Sequence, residues 1–226
     1  MSSRLNPYVL FTVIILFVFD GLMIGLHLYF NWQYSFFNLD QEHNLPTTYQ
    51  GLKYILLAAG CAVVAYTTWI RPVGEKFYAK FWGLLATGFA FLSVDEMGLL
   101  HENVERHATD LFPSLRPFLE ERIFGAGYAG ASWLIFYVAG ALVLSPLLLY
   151  MAVFAYRKVG SHATYLVLGA VLVVLAAAGL EFLSTSGQAT YNATMLWEES
   201  FELIGVSLAG LFVFEEVARR TARLKG

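Results

Sequence analysis

Apolar residues fall in long continuous stretches, separated by short polar links. Six such stretches can be read: Tyr8–Phe30, Leu52–Ile70, Phe81–Leu100, Ala131–Tyr156, Tyr165–Leu183 and a shorter one centred on Phe201–Phe214 and extending over about 199–218. A helix crosses the roughly 30 Å hydrocarbon core of a bilayer with about 20 mostly apolar residues. Membrane β-strands alternate apolar and polar positions over about ten residues, and these runs do not alternate. The pattern therefore predicts an all-α protein: a polytopic transmembrane bundle of six helices, forming one domain over residues 1–226. Pro146 predicts a kink or tilt in the long fourth helix. The first stretch exceeds the length of a signal-peptide core, contains Asp20 and lacks a small-x-small cleavage site, so it reads as an uncleaved helix.

Between the helices, residues 31–50 and 107–130 are the longer links. Both mix aromatic and polar residues, as in Trp32, Tyr34, Phe36 and Phe37. Such mixtures favour the headgroup zone, so both are expected to be outer interfacial segments.

Composition agrees with the pattern. Hydrophobic residues make up 58% and charged residues 14% of the 226, whereas a soluble domain has about 45–50% and about 25%. Lys and Arg number 14 against 17 Asp and Glu, so no basic excess points to nucleic acid. A single cysteine, Cys61, excludes a disulfide framework; it reads as a small packing residue of the second helix.

Charge distribution gives an orientation. With six crossings both termini share one side. That side carries ten bases: Arg4, Arg71, Lys76, Lys80, Arg157, Lys158, Arg219, Arg220, Arg223 and Lys225. The other carries four: Lys53, Arg106, Arg116 and Arg122. Positive loops stay inside, so both termini are expected in the cytoplasm and the protein in the plasma (inner) membrane as a multi-pass protein. Its first partner is then the lipid bilayer.

Several ionisable residues lie where lipid makes them costly. At mid-bilayer each costs roughly 2.5–3.5 kcal/mol, so it normally faces a bundle interior or a wet cavity and marks function. The first helix carries Asp20 and His27, two turns apart on one face. The third ends in SVDEMGLLHENVERH, where Asp95 and Glu102 share a face, His101 lies at its edge and Glu96 points elsewhere. The fifth carries Glu181. The sixth opens with WEESFELIG, and Glu198, Glu199 and Glu202 occupy one sector that continues through Gly205 and Ala209, small enough to let another helix approach. Chain direction puts His27, Asp95–Glu102, Glu181 and Glu198–Glu202 in the outer layer and Asp20 nearer the middle, as a possible proton relay.

So many carboxylates cannot all ionise together in a low dielectric. A divalent metal, retained protons or neighbouring bases would each resolve this. Carboxylate with histidine suits iron, manganese or zinc. The metal reading takes His27, Asp95, His101, Glu102, Glu181, Glu198, Glu199 and Glu202 as candidate ligands, with Glu96 or Glu102 as a catalytic base. The Glu-x-x-His pair of di-metal bundles is missing from the predicted helices, so a single-metal site is equally compatible. Plainer readings compete. Glu102 and Arg106 can form an i,i+4 pair, Glu198 and Glu199 can favour a helix N-terminus, and the Asp95–Glu102 stretch can lie among headgroups. His43, His107 and His162 read as solvated loop residues.

FNLDQEHNLPTTYQ, FLSVDEMGLLHE and EESFELIGV together resemble a family of uncharacterised bacterial integral membrane proteins, over most of the chain. The resemblance implies that Asp40, Glu42, Asn44, Pro46, Asp95, Glu96, His101, Glu102, Glu198, Glu199 and Glu202 matter, and implies no substrate. In architecture alone the pattern is similar to the ceramidase-like membrane hydrolases, which hold zinc in a helical bundle. Ser93, Asp95 and His101 echo part of that site; its paired late histidines are replaced by acids.

The expected function is thus an integral membrane metalloprotein or enzyme with an outward-facing, buried carboxylate/His cluster. The alternatives are a non-catalytic accessory subunit that contacts partner subunits of a larger membrane complex, and a proton- or ion-coupled transporter. The missing repeat and the missing pair of broken helices argue against the transporter.

Overall fold

A computed structural model describes residues 6–30, 33–39, 41, 43–70, 76–98, 100, 153, 165, 168–169, 172–173, 175–180 and 191–224. The expectations for the fourth helix, for segment 107–130, for most of the fifth helix, and for Asp40, Glu42, His101, Glu102 and Glu181 lie outside these residues.

The described chain is all-α. Its long helices are α1 (Pro7–Phe30), α2 (Leu45–Trp69), α3 (Lys76–Gly98) and α4 (Tyr191–Leu224), with a 3-10 turn at Ser35–Phe37 and a π-helical segment at Leu175–Leu180. Helices α1, α2 and α3 are long and apolar enough to cross a membrane.

In α1 the buried residues are Val9, Val13, Asp20, Met23 and His27. Their spacing is one narrow helical stripe. The rest of the helix presents large apolar side chains outward, among them Tyr8, Phe11, Ile14, Val18, Leu22 and Leu28. Contiguous apolar surface of this kind marks a lipid or protein contact rather than a face toward water.

Helix α2 begins at Leu45, inside the segment that the sequence pattern assigns to the outer interface. The reason is local. Asn44 is its N-cap, with Oδ1 accepting from the Thr47 N–H at 3.1 Å, and a proline follows in the first turn. Both features start helices. The Asn44 Nδ2 donates back to the carbonyls of Ser35 (3.1 Å) and Asn38, tying the preceding loop to the cap. His43, just before the cap, is exposed and sits in the left-handed region at φ 58°.

Helix α3 runs antiparallel to α2. Ser93 Oγ donates to the Gly51 carbonyl at 2.9 Å at one end, and the Tyr54 and Phe89 rings stack next to it. Trp82 is fully buried and stacks on Phe212 of α4 with centroids 5.1 Å apart. Cys61 lies in this same core, as a packing residue.

Helix α4 is the central element. Between Leu203 and Val213, residues around its whole circumference are buried, the signature of a helix enclosed by others. It runs parallel to α2, with Lys53 beside Leu203 and Gly60 against Val213. It runs antiparallel to α1, with Asp20 beside Ser207 and the Asn6 N–H donating to Glu215 Oε2 at 3.1 Å. The start of α1 and the last third of α4 therefore lie at one end of the bundle. With 34 residues α4 reaches beyond the sequence-predicted 199–218 on both sides. Its apolar centre, Leu203–Phe214, measures only about 18 Å at 1.5 Å per residue, so its acids enter the bundle from both ends.

The expected close approach at Gly205 and Ala209 is present. A Cβ on Gly169 would sit 2.5 Å from the Gly205 carbonyl oxygen and 3.1 Å from the Ala209 nitrogen. The segment around Gly169 and Val173 thus lies backbone to backbone against α4.

Candidate functional site

The polar centre of the described bundle is built on Asp20. Its Oδ1 accepts from Lys53 Nζ at 2.8 Å and from the Tyr49 hydroxyl at 2.9 Å, and its Oδ2 accepts from Ser207 Oγ at 2.6 Å. Lys53 donates again to the Leu203 carbonyl at 2.8 Å and lies 4.8 Å from the centroid of the Tyr49 ring. The one proton of the Tyr49 hydroxyl is shared with the Leu16 carbonyl, 3.0 Å away. Asp20 is 1% and Lys53 3% exposed. Three helices, α1, α2 and α4, are joined by one fully hydrogen-bonded charge pair. A buried pair survives desolvation only with such added bonds.

This corrects the sequence reading of Lys53. It is not an outer-loop base at the rim; it is the cation of the bundle interior. The error follows from the start of α2. With the helix beginning at Leu45, Lys53 lies about two turns inside it and on the same face as Gln50, Tyr54, Leu57, Cys61 and Val64, all buried. Tyr49, Ser207 and Gln50 carried no formal charge, so a search for ionisable intruders passed over them.

Toward the α4 N-terminal side lies the acidic layer. Glu202, Glu96 and Glu199 all act electrostatically on Tyr54, and Glu96 and Glu202 also on Lys53. Glu96 lies one turn beyond Ser93 and two beyond Phe89, both in contact with α2, so it sits on the α2 side of α3, against the expectation that it points elsewhere. Asp95 is buried, whereas Glu96, Glu198, Glu199 and Glu202 are half-buried. Among the described residues, no three His, Cys, Asp or Glu side chains already stand as a metal-binding group.

His27 is buried at 2%, and its Nδ1 accepts from the Leu39 backbone N–H at 3.2 Å. A neutral imidazole accepting at Nδ1 carries its proton on Nε2. In this arrangement His27 fastens the loop after α1 to the helix.

Along the fifth stretch, Leu175–Leu180 forms a π-helical segment packed on α4, with Ala176 fully buried. It stands directly before Glu181 in the sequence. Such π segments recur at functional sites because the extra residue re-aims the side chains beside them.

A second polar group closes the opposite end. Arg220 Nε pairs with Glu216 Oε1 at 2.9 Å, and the guanidinium lies 5.1 Å from the centroid of the Tyr78 ring. Glu215 takes Arg219 at 3.2 Å as well as the Asn6 N–H. Glu215 and Glu216 are thus fastening points for α1, α3 and α4.

Residues 8–215 match a family described as a domain of unknown function, DUF8692. The chain belongs to the DUF8692 family. No curated protein and no solved structure matches it. The match runs from the first turn of α1 into α4 as far as Glu215, so in this DUF8692 protein it covers the Asp20–Lys53 centre and the acidic layer but not Asn6, Glu216, Arg219 and Arg220 of the second polar group.

Proposed function

We propose that this DUF8692 protein is a multi-pass protein of the plasma (inner) membrane, with six helices and both termini cytoplasmic, whose outer acidic layer binds a divalent metal. The observation that carries the reading is convergence. Glu96 on α3 lies one turn from Ser93, which bonds to Gly51 of α2, and Glu199 and Glu202 on α4 lie within one turn of Leu203, which accepts from Lys53 of α2, so acids about a hundred residues apart in sequence come to one stretch of α2. The Asp20–Lys53 pair fixes α1, α2 and α4 in the register that holds the α4 acids there. His101, Glu102 and Glu181 are the further ligands in this reading, and the π segment before Glu181 supports its place among them. Glu96 beside the cation is the base for a water-activating reaction on a lipid-soluble substrate.

The test is metal content. Protein purified in mild detergent without added chelator is expected to hold close to one equivalent of iron, manganese or zinc. A chelator should lower its melting temperature, because metal stabilises the folded state that binds it. The same treatment should shift Glu199→Gln much less. Protein without stoichiometric metal, and indifferent to both chelator and added metal, overturns the reading.

One observation favours a second reading. A buried Asp–Lys pair linked to Tyr and Ser hydroxyls is also the material of a proton- or ion-coupled pathway. Proton release on cation addition to proteoliposomes, lost in Asp20→Asn, would select it over the metal site.

A further inference from the structure

Gln50 is 3% exposed, and neither its Nε2 nor its Oε1 has a hydrogen-bond partner among the described residues. A buried polar group left unsatisfied is destabilising, and this one stands at a junction of three helices. The next residue, Gly51, is overlain by Met97 of α3, where an added Cβ would sit 2.5 Å from Met97 Cγ. The Gly51 carbonyl accepts from Ser93. Ser93 and Met97 bracket Asp95 and Glu96 on α3. Three residues along α2 from Gln50, Lys53 donates to the Leu203 carbonyl, which follows Glu202 and lies one turn beyond Glu199 on α4. The carboxamide lies next to the Tyr54 side chain. An apolar side chain of similar length would fill the position without that cost. An amide in its place offers a neutral carbonyl oxygen and a donor to the acidic layer.

We propose that Gln50 Oε1 is a ligand of a hydrated hard dication, Mg²⁺ or Mn²⁺, held between α2, α3 and α4 with one or two of the carboxylates of Glu96, Glu199 and Glu202. This rests on the metal reading above and narrows it to oxygen ligands. Mg²⁺ keeps several of its waters and takes one or two carboxylates rather than a full protein cage. The amide Nε2 is left to donate to a carboxylate or to a metal-bound water. The positive charge of Lys53 is absorbed by Asp20 and so does not stand against the cation.

The experiment is a Mn²⁺ titration of the full-length protein in detergent, followed by the loss of the free-ion paramagnetic resonance signal, with Mg²⁺ as competitor. Wild type is expected to bind one Mn²⁺ that Mg²⁺ displaces. Gln50→Met should weaken binding at least tenfold and, in metal-free buffer, melt no lower than wild type. Gln50→Asn keeps an amide but withdraws the oxygen by one methylene. It is expected to weaken binding too, and it serves if the Met variant does not fold. Equal Mn²⁺ affinity in wild type and either folded variant overturns the role of Gln50 and leaves the metal site standing. Tight zinc with no Mn²⁺ or Mg²⁺ binding overturns the hard-cation assignment alone. No metal at all removes both.

Discussion

Asp20 and Lys53 show how one residue pair sets the energetics of the bundle. Each charge is nearly free of solvent, and each is satisfied by the other plus neutral hydrogen bonds. Removing one member of a buried pair strands the other and typically costs roughly 3–5 kcal/mol, whereas replacing both with apolar or neutral groups is often close to neutral. Lys53→Met should therefore lower stability by an amount in that range. Asp20→Asn combined with Lys53→Met should recover most of the loss, read from denaturant or thermal unfolding in one detergent. Equal losses in the single and double variants would mean that the two side chains are not coupled. Half of this pair was legible in the sequence. Asp20 interrupts a long apolar run and announces itself. Lys53 adjoins the polar residues of the preceding segment and reads as a rim base, until the Asn44 cap moves the start of α2 seven residues earlier than the apolar run suggests. His27 was legible as a buried group; the bond it accepts from the backbone N–H of Leu39 was not, because no residue pattern encodes it.

The length of the apolar runs was the strongest signal for the elements, and it placed α1, α2 and α3, whose runs are long enough to cross a bilayer. It placed α4 less well. That helix is held by burial on all sides rather than by an apolar run of bilayer length, and its ends are acidic. The small residues along α4 were a better guide than its hydropathy. Gly205 faces Gly169, and a Cβ there would lie 2.8 Å from Val173 Cγ2 and 2.9 Å from the Gly169 carbonyl oxygen. Backbone cannot rotate away as a side chain can, so Gly205→Ala is expected to cost about 1–3 kcal/mol through overpacking. Gly51 also has a neighbour within 3 Å, but that neighbour is the flexible Met97 side chain, so Gly51→Ala should cost less. Gly21 and Gly25 of α1 have nothing within 4 Å of an added Cβ. There the substitution to Ala should be neutral or stabilising by up to about 1 kcal/mol, from helix propensity alone. Melting temperatures of the four variants give the order directly, and Gly205→Ala melting no lower than Gly21→Ala would show that the contact with Gly169 does not hold the helices together.

At the scale of the whole molecule, the directions of the helices meet the distribution of charge. Helices α1 and α4 are antiparallel, and the Asn6 backbone bonds to Glu215, so the beginning of α1 and the end of α4 share one end of the bundle. An even number of crossings is the simplest path between them. The six crossings proposed above meet that condition, as the proposal assigns two of them to the fourth and fifth apolar stretches. The acidic layer belongs to the other end, where α2 and α4 begin and α3 finishes. Burial of Lys53 sharpens the charge asymmetry. In the proposed topology this leaves Arg106, Arg116 and Arg122 on the outer side against ten bases on the terminal side, and positive charge is retained in the cytoplasm. A cysteine appended after Gly226 and another placed near the N-terminus, each in a Cys61→Ser background, should therefore both resist a membrane-impermeant thiol reagent in intact cells. Both should react once the membrane is opened. Labelling of one end but not the other in intact cells would break the even count and the shared end together. Labelling of both would keep the bundle and turn it over, placing the acidic layer and its cation on the cytoplasmic face.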